Sequence, residues 1–168
     1  MGSIRKYRAR RKVVKQSDQM DLPPVVRCPN LRDLQSLSPD AARRHVDAYL
    51  HEVMAAEDAD EFRALSYLWE LHLVPLDQLC LLRTVDLSPA KVRAIRTVIR
   101  KGGELPPLVG LGGEGKQVTE NVFLCDGYHR VRAMDGLGIH FAWIWLAICT
   151  WERRAALAAA TPMLVRDM

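Results

Sequence analysis

Paired cysteines are missing from this sequence. Cys28, Cys80, Cys125 and Cys149 stand far apart, with no C-x-x-C among them. The turn-spaced ligands of a zinc site are therefore absent. Free thiols in a reducing cytoplasm are expected instead. The five histidines are scattered as well, which argues against a metal centre built on imidazole. The longest apolar run, near Ile139 to Thr150, contains His140 and is far too short for a membrane span. No apolar stretch follows the basic N-terminus, so no secretory signal is read there. A cytoplasmic protein without a membrane partner is the expectation.

Acidic residues are also missing from the first fifteen positions, which hold Arg5, Lys6, Arg8, Arg10, Arg11, Lys12 and Lys15. With that arm set aside, the net charge of +4 becomes about −3, so the body is mildly acidic. Such an arm can neutralise nucleic-acid phosphates and release counterions. DNA contact through Arg5, Lys6, Arg8, Arg10, Arg11 and Lys12 is expected. A solubilising tail or a contact for an acidic partner carries the same charge pattern.

The 168 residues, 49% hydrophobic and 26% charged, suit one soluble domain with a small extension. Gln16 to Pro29 is polar and Pro-rich and reads as an extended linker. Ser38-Pro39-Asp40 opens a helix to about Ala56, with Ala42, Val46, Tyr49, Leu50 and Val53 on one face. A second helix from near Asp58 carries Phe62, Leu65, Leu68, Trp69 and Leu73. Leu73 to Leu76 reads as a short edge strand, where Pro75 is tolerated. Ser88-Pro89 opens a further helix, closed by Gly102-Gly103. Leu105 to Leu111 and Val118 to Cys125 read as a hairpin. Tyr128 to about Leu137 is a short helix, His140 to Ile148 a buried strand, and Trp151 to Ala160 a last helix. The fold class is α+β: a small mixed sheet covered by helices, with an N-terminal helical extension.

The segment Asp126-Gly127-Tyr128-His129-Arg130-Val131-Arg132-Ala133 carries the chemistry. A strand that ends in Asp-Gly and enters a helix directly presents several backbone N–H groups and the positive end of the dipole to an anion. Gly127 permits the sharp turn and a close ligand approach. Arg130 and Arg132 supply forks that match phosphate oxygens. Asp126 is the candidate base or metal ligand, and His129 a proton shuttle or phosphate donor. Glu104, just after the glycines, is a candidate acidic partner. Gly110 to Gln117 follows P-loop spacing, but Gln117 replaces the magnesium-binding Ser/Thr and a strand follows, so it reads as a hairpin turn.

Leu105-Pro106-Pro107-Leu108-Val109, a hairpin, Phe123-Leu124-Cys125-Asp126-Gly127 and Tyr128-His129-Arg130-Val131-Arg132-Ala133 together resemble the ParB/sulfiredoxin superfamily. The resemblance spans about residues 73 to 148. It implies a division into a basic arm and linker at 1–22, a helical extension at 23–72 and a ParB/sulfiredoxin-like domain at 73–168. In ParB-type partition proteins the turn reads Gly-Glu-Arg-Arg-x-Arg-Ala and binds the triphosphate of CTP. Gly127, Arg130, Arg132 and Ala133 match that pattern, while Tyr128 and His129 depart from it. In sulfiredoxins the turn reads Gly-Gly-Cys-His-Arg. Gly127, His129 and Arg130 match, but Tyr128 stands at the cysteine, and a phenol cannot form the thiol intermediate.

Members with Asp-Gly-x-His-Arg include free-serine kinases and plasmid fertility-inhibition proteins with ATPase and DNase activity. The resemblance thus implies a nucleotide-binding phosphohydrolase associated with DNA, in plasmid maintenance or transfer control. ATP or another nucleoside triphosphate would lie at Gly127, Tyr128, His129, Arg130 and Arg132, with Mg2+ as a candidate companion and Asp126 and His129 as catalytic groups. A free-serine-type kinase, with Asp126 as base, is the first alternative. A non-catalytic DNA- or protein-binding regulator is the second, and no helix-turn-helix is recognised after the motif.

Overall fold

Two Ser-Pro pairs set the frame of the protein. The computed structural model describes residues 24–65, 68–81, 86–112, 119 and 122–148. Ser38 and Ser88 each sit in extended backbone, and their hydroxyls accept from the N–H groups of Ala41 and Lys91 at 3.3 Å. Pro39 and Pro89 follow at the first helical turn, where a missing N–H costs nothing. These caps open α2 (Pro39–Val53) and α4 (Pro89–Arg100), after a short α1 (Leu31–Gln35) that the sequence pattern did not reveal. Helix α3 covers Ala56–Leu65 and α5 covers Tyr128–Asp135.

Five strands form one mixed sheet in the order β1-β5-β3-β4-β2. They are β1 (Leu68–Pro75), β2 (Leu79–Leu81), β3 (Leu108–Gly112), β4 (Val122–Asp126) and β5 (Phe141–Ile148). β1 runs antiparallel to β5 and β3 antiparallel to β4, whereas β3–β5 and β2–β4 are parallel. One face packs Leu108, Val122, Leu124, Ile144 and Leu146 against Val92 and Ile99 of α4 and Val131 and Met134 of α5. The other packs Val109, Leu111, Trp145 and Ala147 against Ala42, Val46 and Leu50 of α2 and Ala59 of α3. The fold is α+β, a small mixed sheet with helices on both faces, as the sequence pattern indicates.

The second helix is shorter than its apolar spacing suggests. It ends at Leu65, and Leu68, Trp69 and Leu73 belong to β1. Leu68 and Val74 pack on one face of the sheet and Trp69 and Leu71 on the other. A strand with some apolar residues on each face also satisfies the i+3 and i+4 spacings of a helix, and continuous pairing with β5 from Leu68 to Pro75 settles the choice. The strand expected from Leu105 begins only at Leu108, since Pro106 and Pro107 have no N–H to give a ladder. β2 was not apparent in the sequence. The proposed helix at Trp151 to Ala160 lies outside the described residues.

From Pro24 onward the expected linker is docked rather than free. The Pro24 carbonyl accepts from the N–H groups of His140 and Phe141, and Val25 bridges Phe141 in parallel. Leu105 N–H donates to the Arg27 carbonyl, and Val26 is buried in the core.

Candidate functional site

The site grows from the end of β4. Asp126 is the last residue of the strand, paired with Val109 beside a register irregularity between Val109 and Gly110. Gly127 follows with φ 107°, a left-handed conformation that side chains resist. A Cβ there would collide with Leu108 Cδ2 and crowd the Arg130 guanidinium at 3.3 Å from Nη2. The glycine is thus required by the turn and by the arginine that lies over it. Helix α5 starts immediately, and no side chain caps it. Its first intrahelical bond runs from Val131 N–H to the Gly127 carbonyl at 2.9 Å. The N–H groups of Tyr128, His129 and Arg130 precede that bond and point out of the helix start.

Arg130 is buried, with its guanidinium used by the protein itself. Nη1 donates to the carbonyls of Pro106 at 2.6 Å and Pro107 at 2.9 Å. Nη2 donates to Asp126 Oδ2 at 2.6 Å and to the Tyr49 hydroxyl at 2.8 Å. Both N–H bonds of each terminal nitrogen are therefore spent, and Nε–H is what remains of its five donors. Tyr49 in turn donates to Asp126 Oδ2 at 2.6 Å. Burial, with a hydrogen bond to Asp126 adding to it against the opposing Arg130 charge, pushes the Tyr49 phenol up to about 12. It stays protonated and donating.

His129 makes a different link. Its Nε2 accepts the backbone N–H of Ser88, the cap of α4, at 3.1 Å. A neutral ring that accepts at Nε2 carries its proton on Nδ1. The starts of α4 and α5 consequently meet at this imidazole, which adds one dipole's positive end to another.

The remaining expected residues are spread out. Tyr128 is buried and its hydroxyl donates to the Leu124 carbonyl at 2.8 Å. Arg132 is half exposed and lies 3.7 Å from Asp135. Glu104 is exposed. Its charge reaches Cys28, whose thiol is pushed up to about 11, first by burial and then by Glu104. Arg5 to Lys12 lie outside the described residues. Sequence reasoning missed Tyr49, Ser88 and the two proline carbonyls. Tyr49 stood on an otherwise aliphatic helix face, and that polar tip was the available signal.

Among the described residues no group of three His, Cys, Asp or Glu side chains could hold a metal ion. Asp126 is a single carboxylate whose Oδ2 already takes two donors. A Mg2+ held here would rest on this one carboxylate, with waters and substrate phosphates completing its shell, the way that ion is usually bound.

No family model matches the chain, and no curated protein matches it. Among solved structures, sulfiredoxin from Arabidopsis thaliana aligns with a TM-score of 0.42 at 21% identity, covering 52% of this chain and 94% of that one. Protein Atu1540 from Agrobacterium tumefaciens aligns with a TM-score of 0.43 at 16% identity, covering 59% of this chain and 51% of the other. This chain thus spans about half the length of Atu1540. No helix among the described residues is long and apolar enough to cross a membrane.

Proposed function

We propose that the protein binds a nucleoside triphosphate, or a related phosphate ester, at the start of α5 and hydrolyses it in association with DNA. The observation that carries this reading is the Ser88 N–H to His129 bond, which brings two helix N-termini to one imidazole. Phosphate oxygens would accept from the uncapped N–H groups of Tyr128 and His129 and from His129 Nδ1–H. Arg130 supports this from behind: it holds Asp126, Tyr49 and the Pro106–Pro107 turn in place, and its charge sits beside the site. Arg132, two residues further along and half exposed, would add charge from the solvent side. Asp126 would orient an attacking water, since phosphate transfer needs positioning more than covalent chemistry. DNA would be held by Arg5, Lys6, Arg8, Arg10, Arg11 and Lys12 through counterion release.

Titration of the full chain with ATP, CTP and GTP, with and without Mg2+ and DNA, tests the reading. One triphosphate should bind, and His129→Ala should weaken it by about tenfold or more, the loss of one charge-assisted bond. Equal affinity in His129→Ala, with the fold retained, overturns the site. No binding to any triphosphate removes the nucleotide reading and leaves a partner-binding regulator. Transfer of labelled phosphate to serine, lost in Asp126→Asn, would replace hydrolysis with the kinase alternative. Deleting residues 1–15 should flatten the salt dependence of DNA binding; an unchanged slope excludes the arm as the contact.

A further inference from the structure

β1 is a sheet edge that, among the described residues, has few of the usual protections, Glu70 being its one acidic side chain. Among the described residues it pairs with β5 alone. Natural edge strands are kept from pairing by lysines, bulges, internal prolines or short length. β1 has eight residues in unbroken register, contains no lysine, and has its proline at the last position.

The direction of its free backbone groups follows from one bond. Leu76 N–H donates to the His140 carbonyl at 2.8 Å, directly beyond the Pro75–Phe141 pair. Positions alternate along an antiparallel pair, so even-numbered residues of β1 bond to β5. Trp69, Leu71 and Leu73 then direct N–H and C=O outward. Pro75 shares that outward parity, where its missing N–H costs no ladder bond.

We propose that β1 pairs with β1 of a second copy of this chain, antiparallel about a two-fold axis through Leu71. The segment Leu68-Trp69-Glu70-Leu71-His72-Leu73-Val74 is self-complementary about that residue. Leu71 meets Leu71 of the other copy, and Trp69 meets Leu73, each exchanging N–H and C=O bonds. Glu70 falls opposite His72 in a non-hydrogen-bonded pair, the position where side chains approach most closely. The two are chemically matched: within one chain Glu70 Oε2 and His72 Nε2 already lie 2.7 Å apart, both partly exposed. Leu73, which is 40% exposed, would be covered by the other copy. The isologous contact closes on itself and joins two five-stranded sheets into one.

Sedimentation equilibrium of the full chain, combined with amide exchange across a concentration series, tests this. A reversible dimer is expected. The amides of Trp69, Leu71 and Leu73 should gain protection as concentration rises, while those of Glu70 and His72 are protected throughout. Leu73→Pro removes an outward N–H and leaves the pairing with β5 untouched, so it should raise the dimer dissociation constant by about tenfold or more. Should that variant misfold, the charge swap supplies a second measure: Glu70→Lys should weaken the dimer and Glu70→Lys with His72→Glu should restore it. A monomer at every concentration overturns the proposal. So does a dimer indifferent to both sets of variants. Protection of Trp69, Leu71 and Leu73 that is independent of concentration would show that the chain covers its own edge, and would overturn it equally.

Discussion

Tyr49 and Asp126 stand 77 positions apart, and the Tyr49 hydroxyl donates to Asp126 Oδ2 at 2.6 Å. The tyrosine belongs to α2, on one face of the sheet, while Arg130, which donates to the same carboxylate oxygen, belongs to α5, which packs on the other. The three side chains clasp the end of β4 from both sides. Removing the phenol oxygen takes a donor from the carboxylate and an acceptor from the guanidinium. Tyr49→Phe should therefore lower stability by about 1.5 to 3 kcal/mol, the range for hydrogen bonds to charged groups. Urea unfolding checks it, and an unshifted midpoint would mean that the clasp contributes nothing.

The same tyrosine sets a pH dependence. Burial raises its pKa in the folded protein to about 12 from an ordinary 10.0. The folded state therefore holds the phenol proton more tightly than the unfolded chain does. The stability this provides is fully present below pH 10 and is lost as pH rises through 12. Denaturation midpoints should fall across that window, and Tyr49→Phe should flatten the fall. Tyrosinate absorbance should lose one late-titrating phenol in the variant.

Arg130 substitutions should report on the fold before they report on a ligand. Arg130→Ala leaves the two proline carbonyls without the Arg130 donors, takes one from the Tyr49 hydroxyl, and leaves Asp126 Oδ2 with the Tyr49 donor but no guanidinium beside it. Breaking such a buried pair costs about 3 kcal/mol or more. Arg130→Lys keeps the charge but not the two-sided fork, so it should recover only part of the loss. Thermal unfolding distinguishes the two variants, and wild-type stability in Arg130→Ala would contradict the arrangement.

Gly127→Ala should be destabilised by about 1 to 3 kcal/mol, from a non-glycine residue held at positive φ and a Cβ against Leu108. Gly102, also at positive φ but with open space around it, is the control. Gly102→Ala carries the backbone cost without the collision and should lose less in the same denaturation series.

Cys28 should alkylate slowly in the native protein. Burial and the nearby Glu104 charge keep its thiol protonated up to about pH 11, and the thiolate is the reacting form. Glu104→Gln removes the second of those causes and should speed the reaction with iodoacetamide modestly. An unchanged rate would show that burial alone governs it.

How much of this was legible in the sequence depended on the range of the interaction. Ser38-Pro39 and Ser88-Pro89 announced α2 and α4 because a cap is a local device, complete within four residues. The strand–Gly127–helix turn was legible for the same reason. Only the end of β1 was, as the edge strand read at Leu73 to Leu76, because Leu68 and Trp69 also continue the apolar spacing of the preceding helix and the strand's partner lies in β5. Arg130 illustrates the limit best. An arginine one turn into a helix after Asp-Gly looks available to phosphate, yet Pro106, Pro107 and Tyr49 take its donors. Nothing within twenty positions of Arg130 reveals those acceptors.

The packing of α2 and α3 on the sheet has an optical consequence. Trp69 and Trp145 lie buried in the layer beneath these helices, and neither indole N–H has a hydrogen-bond partner among the described residues. Two apolar-shielded indoles emit at short wavelength, and they shift to the red when water reaches them. Their fluorescence is thus a built-in gauge of whether the amino-terminal helices are seated, readable without labels and without touching Asp126 or Arg130.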